Sequence, residues 1–167
     1  MTDQTTPNDT LFSHLLGRWV GTGKGYFPTI SPFFYRETLI FTQRDAQTLF
    51  FDQRTEQRPE HSEIYVTSHW ESGYIQILES GKLQLINSQS SGRSEVLIGR
   101  VTNTAPLQAR FESKSQTNDQ RMMATARLFT VTPDTLTYQM QMQTTAVPQL
   151  TPHLEAVLHR PIPNQES

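Results

Sequence analysis

From residue 18 onward, apolar and polar positions alternate along nearly the whole chain. The stretch "YRETLIFT" sets Tyr35, Glu37, Leu39 and Phe41 on one face and Arg36, Thr38, Ile40 and Thr42 on the other. A side-chain period of two is that of a β-strand. The same reading applies to "TLFFDQRT", "SEIYVTSHWE", "GYIQILE", "KLQLINSQ", "SEVLIGRV", "LQARFESKS", "MMATARLFTV", "TLTYQMQMQT" and "HLEAVLHR". Short turn signals such as "ESGK", "SSGR", "TNTAP", "QTNDQ" and "TPDT" separate many of them. With the stretch around Trp19 this predicts ten or eleven strands. Hairpin-length connections make the arrangement an antiparallel meander.

One helix interrupts the pattern. "NDTLFSHLLG" offers Asp9 or Thr10 as N-cap, Gly17 as a stop, and apolar pairs Leu11/Leu15 and Phe12/Leu16 on one stripe. His14 lies on it and reads as a surface or rim residue. So many strands in one small domain must curl or split. An up-and-down barrel abolishes the free edges, with the helix over one end; a β-sandwich is the second architecture. The domain is expected over residues 9–160, with flexible tails at 1–8 and 161–167.

A length of 167 residues suits one core. The net charge is -2 with both signs scattered, so no basic stripe marks a nucleic-acid partner. Cysteine is absent, which removes disulfides, thiolate nucleophiles and Cys-ligated metals. The polar start "MTDQTTPNDT" lacks a signal-peptide pattern, and no apolar run is long enough to span a membrane as a helix. A cytoplasmic domain without membrane partners is the expectation. Glu63 and Glu71 do not read as a glycosidase pair, since strand carboxylates usually face solvent, and Trp19 and Trp70 read as packing residues.

The stretch "LLGRWVGTGKGYFPTISPFFY" holds alternating Gly21, Gly23 and Gly25. It matches neither a Walker loop, since Lys24 is followed by Gly25, nor a dinucleotide fingerprint. Alternating glycines strip one face of a strand of side chains. That either lets the strand bend at a barrel corner or lets a flat ligand lie on bare backbone.

These residues resemble those of the nitrobindin family, haem-binding β-barrels of lipocalin and fatty-acid-binding-protein type. The family's G-x-W-x-G-x-G is matched by Gly17, Trp19, Gly21 and Gly23, and its P-F-x-Y-x-E by Pro32, Phe33, Tyr35 and Glu37. Its Y-P-T-I reads Phe27, Pro28, Thr29, Ile30, and its H-x-E-x-G-Y-x-R reads His69, Glu71, Gly73, Tyr74 with Gln76 for the arginine. Gln89 and Gly92 resemble its Q-x-x-G turn. The closing H-L-x-A-x-L-x-R is met at every fixed position by His153, Leu154, Ala156, Leu158 and Arg160.

The resemblance implies a ferric b-type haem, one per chain, with His153 as the iron ligand and Thr29 in contact with the cofactor. It implies His69, Gln89, Met142 and Ile30 as pocket-lining residues. It implies a peroxynitrite isomerase, converting peroxynitrite to nitrate, that also binds nitric oxide reversibly, and it is compatible with a homodimer. The alternative is a haem-free carrier barrel for a small apolar ligand. Strict alternation places His153 opposite Leu154, Ala156 and Leu158, so an irregular strand after Pro152 is one resolution and an outward-facing apolar trio the other. His159 has no such support and reads as a solvated surface residue.

Overall fold

The computed structural model describes residues 5–162. A helix, α1 (Pro7–Leu15), precedes ten strands. They are β1 (Gly17–Phe27), β2 (Ile30–Asp45), β3 (Thr48–Pro59), β4 (Val66–Ile77), β5 (Leu83–Gln89), β6 (Ser94–Thr104), β7 (Leu107–Thr117), β8 (Met122–Val131), β9 (Thr135–Thr144) and β10 (Thr151–His159). Each pairs antiparallel with its sequence neighbours, and β1 closes the ring on β10, from Val20 opposite His159 to Gly25 opposite Leu154. The barrel, not the sandwich, is the architecture. The two segments read as separate strands on either side of residue 72 are one strand, β4. It runs through Gly73, where a Cβ would collide with the carbonyl of Ile86 on β5, so the glycine keeps the two strands at ladder distance.

The helix begins earlier than its apolar stripe suggests. Its N-cap is Thr6, neither Asp9 nor Thr10: Thr6 Oγ1 accepts from the Asp9 backbone N–H at 3.2 Å, and Asp9 Oδ2 accepts from the Thr6 N–H at 2.8 Å. Pro7 follows at the first helical position, where its missing N–H leaves nothing unsatisfied. Pro7 and Asn8, expected in a tail, are therefore ordered, and Asn8 Nδ2 donates to Gly81 O at 2.9 Å in the β4–β5 turn. Residues 1–4 and 163–167 of the expected tails lie outside the described residues.

Leu11, Phe12 and Leu15 are buried and plug one end of the barrel against Trp19, Leu49, Ile75, Leu83, Leu97, Leu107, Leu136 and Leu158. Each such side chain is worth roughly 1.5–3 kcal/mol on burial. Trp19 Nε1 donates to Leu15 O at 2.8 Å, fastening the helix to β1. This apolar level fixes where a site can lie: the helix end is full, and the free volume is at the other. Trp70, expected to pack, is 54% exposed on the outer face of β4 beneath the Arg54 guanidinium.

The glycine run serves the barrel from within. A Cβ on Gly25 would collide with the Phe33 ring, one on Gly23 with the Tyr35 ring, and one on Gly21 with the Val157 carbonyl. The bare inner face of β1 is thus covered by aromatic rings from β2, which reach across it toward β10. A flat ligand does not occupy those positions.

Candidate functional site

His153 sits at a β-bulge. On β10, Pro152 opposes Gln141 and Leu154 opposes Met140, so His153 is the extra residue between them. The bulge resets the alternation, and both His153 and Leu154 line the interior, while Ala156 and Leu158 stay buried in the core. The irregular strand is the resolution, and Pro152, which cannot donate to the ladder, marks its start.

The imidazole is held from three sides. Its Nδ1 lies 3.1 Å from the carbonyl oxygen of Tyr26 at the end of β1. A carbonyl only accepts, so Nδ1 carries the proton and Nε2 keeps its lone pair. Phe27 meets the ring edge-on at 5.8 Å between centroids, and Phe33 at 6.4 Å. Burial pushes the His153 pKa down, with the hydrogen bond to Tyr26 opposing and the nearby Arg93 and His69 adding to the fall. The ring is therefore neutral at neutral pH, the form that binds a metal.

His153 lines a cavity of about 340 Å³ in the barrel end opposite α1. That lies within the usual ~300–1,000 Å³ of small-molecule sites. Leu39, Phe41, Phe51, Leu85, Phe129 and Met140 supply an apolar wall, and Gln57, Ser68, Ser91, Arg93, Asp119 and Arg121 a polar mouth. Of the residues singled out from sequence, the cavity wall gathers His153, His69 and Gln89. Thr29 and Ile30 stand exposed at the β1–β2 turn, and Met142 is half-buried on β9; none of the three is on that wall. Gln76 alternates onto the outer face of β4 opposite Thr48, so its replacement of arginine does not touch the cavity. His159 is exposed, its Nδ1 3.4 Å from Thr135 Oγ1.

Between the cavity and the apolar plug lie two polar clusters that the sequence reading missed. Glu71, expected to face solvent, is buried: Arg127 Nη1 donates to its Oε1 at 2.5 Å and His69 Nε2 lies 3.3 Å from its Oε2. The barrel's closure turns this strand face inward. Arg127 Nη2 also donates to Glu95 Oε2 at 2.9 Å, and Asn87, Gln89 and Thr125 donate to Glu95 or Glu71. Burial raises the Glu71 pKa, but the charge and hydrogen bonds of Arg127, with His69, outweigh it and hold the carboxyl well below its usual range. Burial pulls the Arg127 pKa down, but Glu71 and Glu95 outweigh it and hold it above its ordinary value.

The second cluster is Glu37, Tyr35, Tyr138 and Gln53. Tyr138 Oη donates to Glu37 Oε2 at 2.9 Å, Gln53 Nε2 donates to the same oxygen at 2.7 Å, and the two tyrosine oxygens are 2.9 Å apart. Tyr35 Oη also donates to Glu155 O at 3.1 Å, on β10 two residues after His153. Among the described residues no cationic side chain pairs with Glu37. Burial pushes its carboxyl up to about 7 despite the Gln53 and Tyr138 donors.

The arrangement fits a flat apolar metal complex ligated by one imidazole. Its walls are apolar, it carries a neutral histidine whose second ring nitrogen is already bonded, and its mouth is polar. Among the described residues no group of three or more His, Cys, Asp or Glu side chains could hold a bare metal ion.

Comparison with known proteins agrees with this chemistry. Residues 10–160 match the family model of the THAP4-like, heme-binding beta-barrel domain. A protein named peroxynitrite isomerase 1 from Mycolicibacterium paratuberculosis is 33% identical over 92% of this chain and 95% of its own. The peroxynitrite isomerase of Mycobacterium leprae is 31% identical over 96% and 99%. The crystal structure of Rv2717c from M. tuberculosis superimposes with a TM-score of 0.77 at 29% identity, covering 95% of this chain and all of that one. A phycobiliprotein lyase from Guillardia theta shares the fold alone, at 10% identity and a TM-score of 0.62.

Proposed function

The chain belongs to the THAP4-like haem-binding β-barrel family, and on that premise we propose that it binds one ferric haem b through His153 and isomerises peroxynitrite to nitrate. The observation that carries the reading is the bulge that turns His153 into the cavity with Nδ1 bonded to Tyr26 and Nε2 free. Ferric haem held by His153 would supply a Lewis acid for peroxynitrite rearrangement or for reversible nitric oxide binding.

The protein's own groups support that chemistry. Phe27, Phe33 and the Tyr26 carbonyl fix the ligand ring in one orientation and one tautomer. Leu39, Phe41, Phe51 and Phe129 offer apolar surface for a macrocycle. The buried acids are not free to exchange protons there. Glu71 and Glu95 are bonded to Arg127, and Glu37 lies behind Tyr138. Buried carboxylates engaged in this way support isomerisation and diatomic binding over proton-assisted O–O cleavage. Thr29 follows the Tyr26–Phe27 pair that holds His153, which supports keeping it as a candidate cofactor contact.

The test is spectroscopic. Ferric haem added to the purified protein should give a Soret band that His153→Ala abolishes and His159→Ala preserves. Equal, weak binding by wild type and His153→Ala would overturn the ligand assignment. A haem-loaded protein that does not hasten peroxynitrite decay would overturn the isomerase reading and leave haem binding standing.

A further inference from the structure

Of the five tyrosines, two line the cavity that His153 enters, Tyr35 and Tyr138. Both are closed to bulk solvent, at 2% and 8% exposure. Their oxygens lie 2.9 Å apart, and Tyr138 Oη donates to Glu37 Oε2 at 2.9 Å. The pair is close to His153, because the Phe33 ring between them is 6.4 Å from the His153 ring and 6.1 Å from that of Tyr35. Removing one electron from a phenol makes its O–H strongly acidic. Such an oxidation is easiest where a proton acceptor is already bonded to the hydroxyl.

Glu37 suits that part. Gln53 Nε2 donates to the same Oε2 at 2.7 Å, and Oε1 receives no hydrogen bond from the described residues. The titratable groups facing Glu37 are Tyr35 on its own strand, Tyr138 on β9 and Glu71 on β4. Its neighbours across the ladder, Gly21 on β1 and Thr55 on β3, carry no charge. With burial opposing its negative charge and no cation among these groups, the carboxylate gains by taking up a proton.

We propose that Tyr138 is an oxidation and nitration site within the cavity, with Glu37 as the acceptor of its proton. The proposal rests on the reading of this cavity as a peroxynitrite site. The oxidant is nitrogen dioxide, formed with hydroxyl radical when the O–O bond of peroxynitrous acid that escapes isomerisation breaks evenly. One nitrogen dioxide takes an electron from Tyr138 and becomes nitrite, while the phenolic proton moves to Glu37 Oε2. A second nitrogen dioxide forms a C–N bond at the ring carbon beside the phenoxyl oxygen. The hydrogen displaced from that carbon restores the O–H. One tyrosine and two nitrogen dioxide molecules thus give 3-nitrotyrosine, nitrite and a proton held by Glu37. The wall of Leu39, Phe41 and Phe51 disfavours anions but not this small neutral radical.

The experiment gives haem-loaded wild type and Glu37→Gln a slow infusion of peroxynitrite at pH 6 and pH 8, and nitrotyrosine is assigned by mass mapping of peptides. Tyr74, 44% exposed and outside the cavity, is the internal reference. In wild type at pH 8, Tyr138 should be nitrated at least as heavily as Tyr74, against the order of exposure. Glu37→Gln cannot take the proton. It should lower Tyr138 nitration about a hundredfold, the lower end of what a positioned base contributes, and leave Tyr74 unchanged. The wild-type ratio of Tyr138 to Tyr74 should also fall about tenfold from pH 8 to pH 6, as Glu37 fills with protons around its folded value of about 7. That profile carries the test if Glu37→Gln does not fold. Nitration that follows exposure, with Tyr74 modified and Tyr138 spared, would overturn the proposal. Equal nitration of Tyr138 in both proteins with a flat pH ratio would also overturn it, because Glu37 would then take no proton. A wild type with no Soret band would sink the haem reading and this proposal together. A Soret band and hastened peroxynitrite decay with Tyr138 unmodified would sink this proposal alone.

Discussion

The ring of Tyr35 lies over Gly23, in the space that a side chain at residue 23 would need. That contact is how β2 reaches across β1 to β10, because the same tyrosine donates to Glu155 O at 3.1 Å. Gly23→Ala must push the ring away, break this bond and loosen the Tyr138–Glu37 pair behind it. Overpacking of this kind costs about 1–3 kcal/mol. Urea unfolding should show that loss, whereas Thr22→Ala, exposed on the opposite face of the same strand, should stay within about 0.5 kcal/mol of wild type. Equal effects at the two positions would mean the glycine is needed for backbone freedom and not for the ring.

Glu37 makes stability fall as pH rises. Its carboxyl titrates near 7 in the folded barrel against 4.5 as the ordinary value. Below 4.5 both states hold the proton and its stabilising contribution is complete. Between 4.5 and about 7 the unfolded chain releases it first, so stability is lost through that window and levels off above it. The span corresponds to about 3 kcal/mol as an upper bound. Glu37→Gln keeps an acceptor for Tyr138 and Gln53 and cannot ionise. It should flatten the window and make the barrel more stable than wild type at pH 8. A variant curve parallel to wild type from pH 4 to 8 would show that Glu37 is ionised in the fold.

Arg160 fastens the closed end. Its guanidinium lies over the Trp19 ring at 4.1 Å and donates to Leu16 O, His14 O and Pro133 O at 2.7, 2.9 and 2.9 Å. These carbonyls belong to the end of α1 and the β8–β9 turn, so one side chain ties the helix plug to that hairpin and to Trp19 on β1. Lysine cannot span three acceptors and stack at once. Arg160→Lys should lower the thermal midpoint by several degrees, on the order of 2 kcal/mol, with the Soret band of the loaded protein unmoved. A shifted Soret band would place the arginine's influence at the site as well.

Much of this was legible along the chain, and the rest was hidden for physical reasons. The period of two marks the strands, and the turn signals mark most of their ends. The exception is β4, read as two strands, because Gly73 resembles a break when it is a close approach to β5. His153 and His159 share a strand and looked alike in parity. The bulge that separates them is a pairing between β10 and β9, and Pro152 was its one local sign. Glu37 already stood with Tyr35, Leu39 and Phe41 on one face, which signals a buried acid. Glu71 read as a solvent-facing strand carboxylate, because its partners Glu95 and Arg127 lie on other strands. Only the closure of β1 on β10 turns their shared face into an interior.

Arg127 is the countercharge on which two buried carboxylates depend. Arg127→Met fills a similar volume and leaves Glu71 and Glu95 without their hydrogen-bonded cation, at a cost of about 3–5 kcal/mol near neutral pH. That is a large share of a domain's usual ~5–15 kcal/mol. The sign of the pH dependence should then invert for Glu71. In wild type the Glu71 carboxyl is depressed, so its contribution is present above the ordinary carboxylate pKa and fades as the solution is acidified through the folded value. Without Arg127, burial of Glu71 is opposed only by Asn87 and His69, and its carboxyl rises. The deficit relative to wild type should therefore shrink between pH 7 and pH 5, as the variant's folded state keeps protons that the unfolded chain gives up. Adding Glu71→Gln to Arg127→Met should recover part of the loss at pH 7, since it removes one uncompensated charge. A deficit that stays constant from pH 5 to 8, unmoved by Glu71→Gln, would mean that Arg127 stabilises the barrel through packing rather than charge.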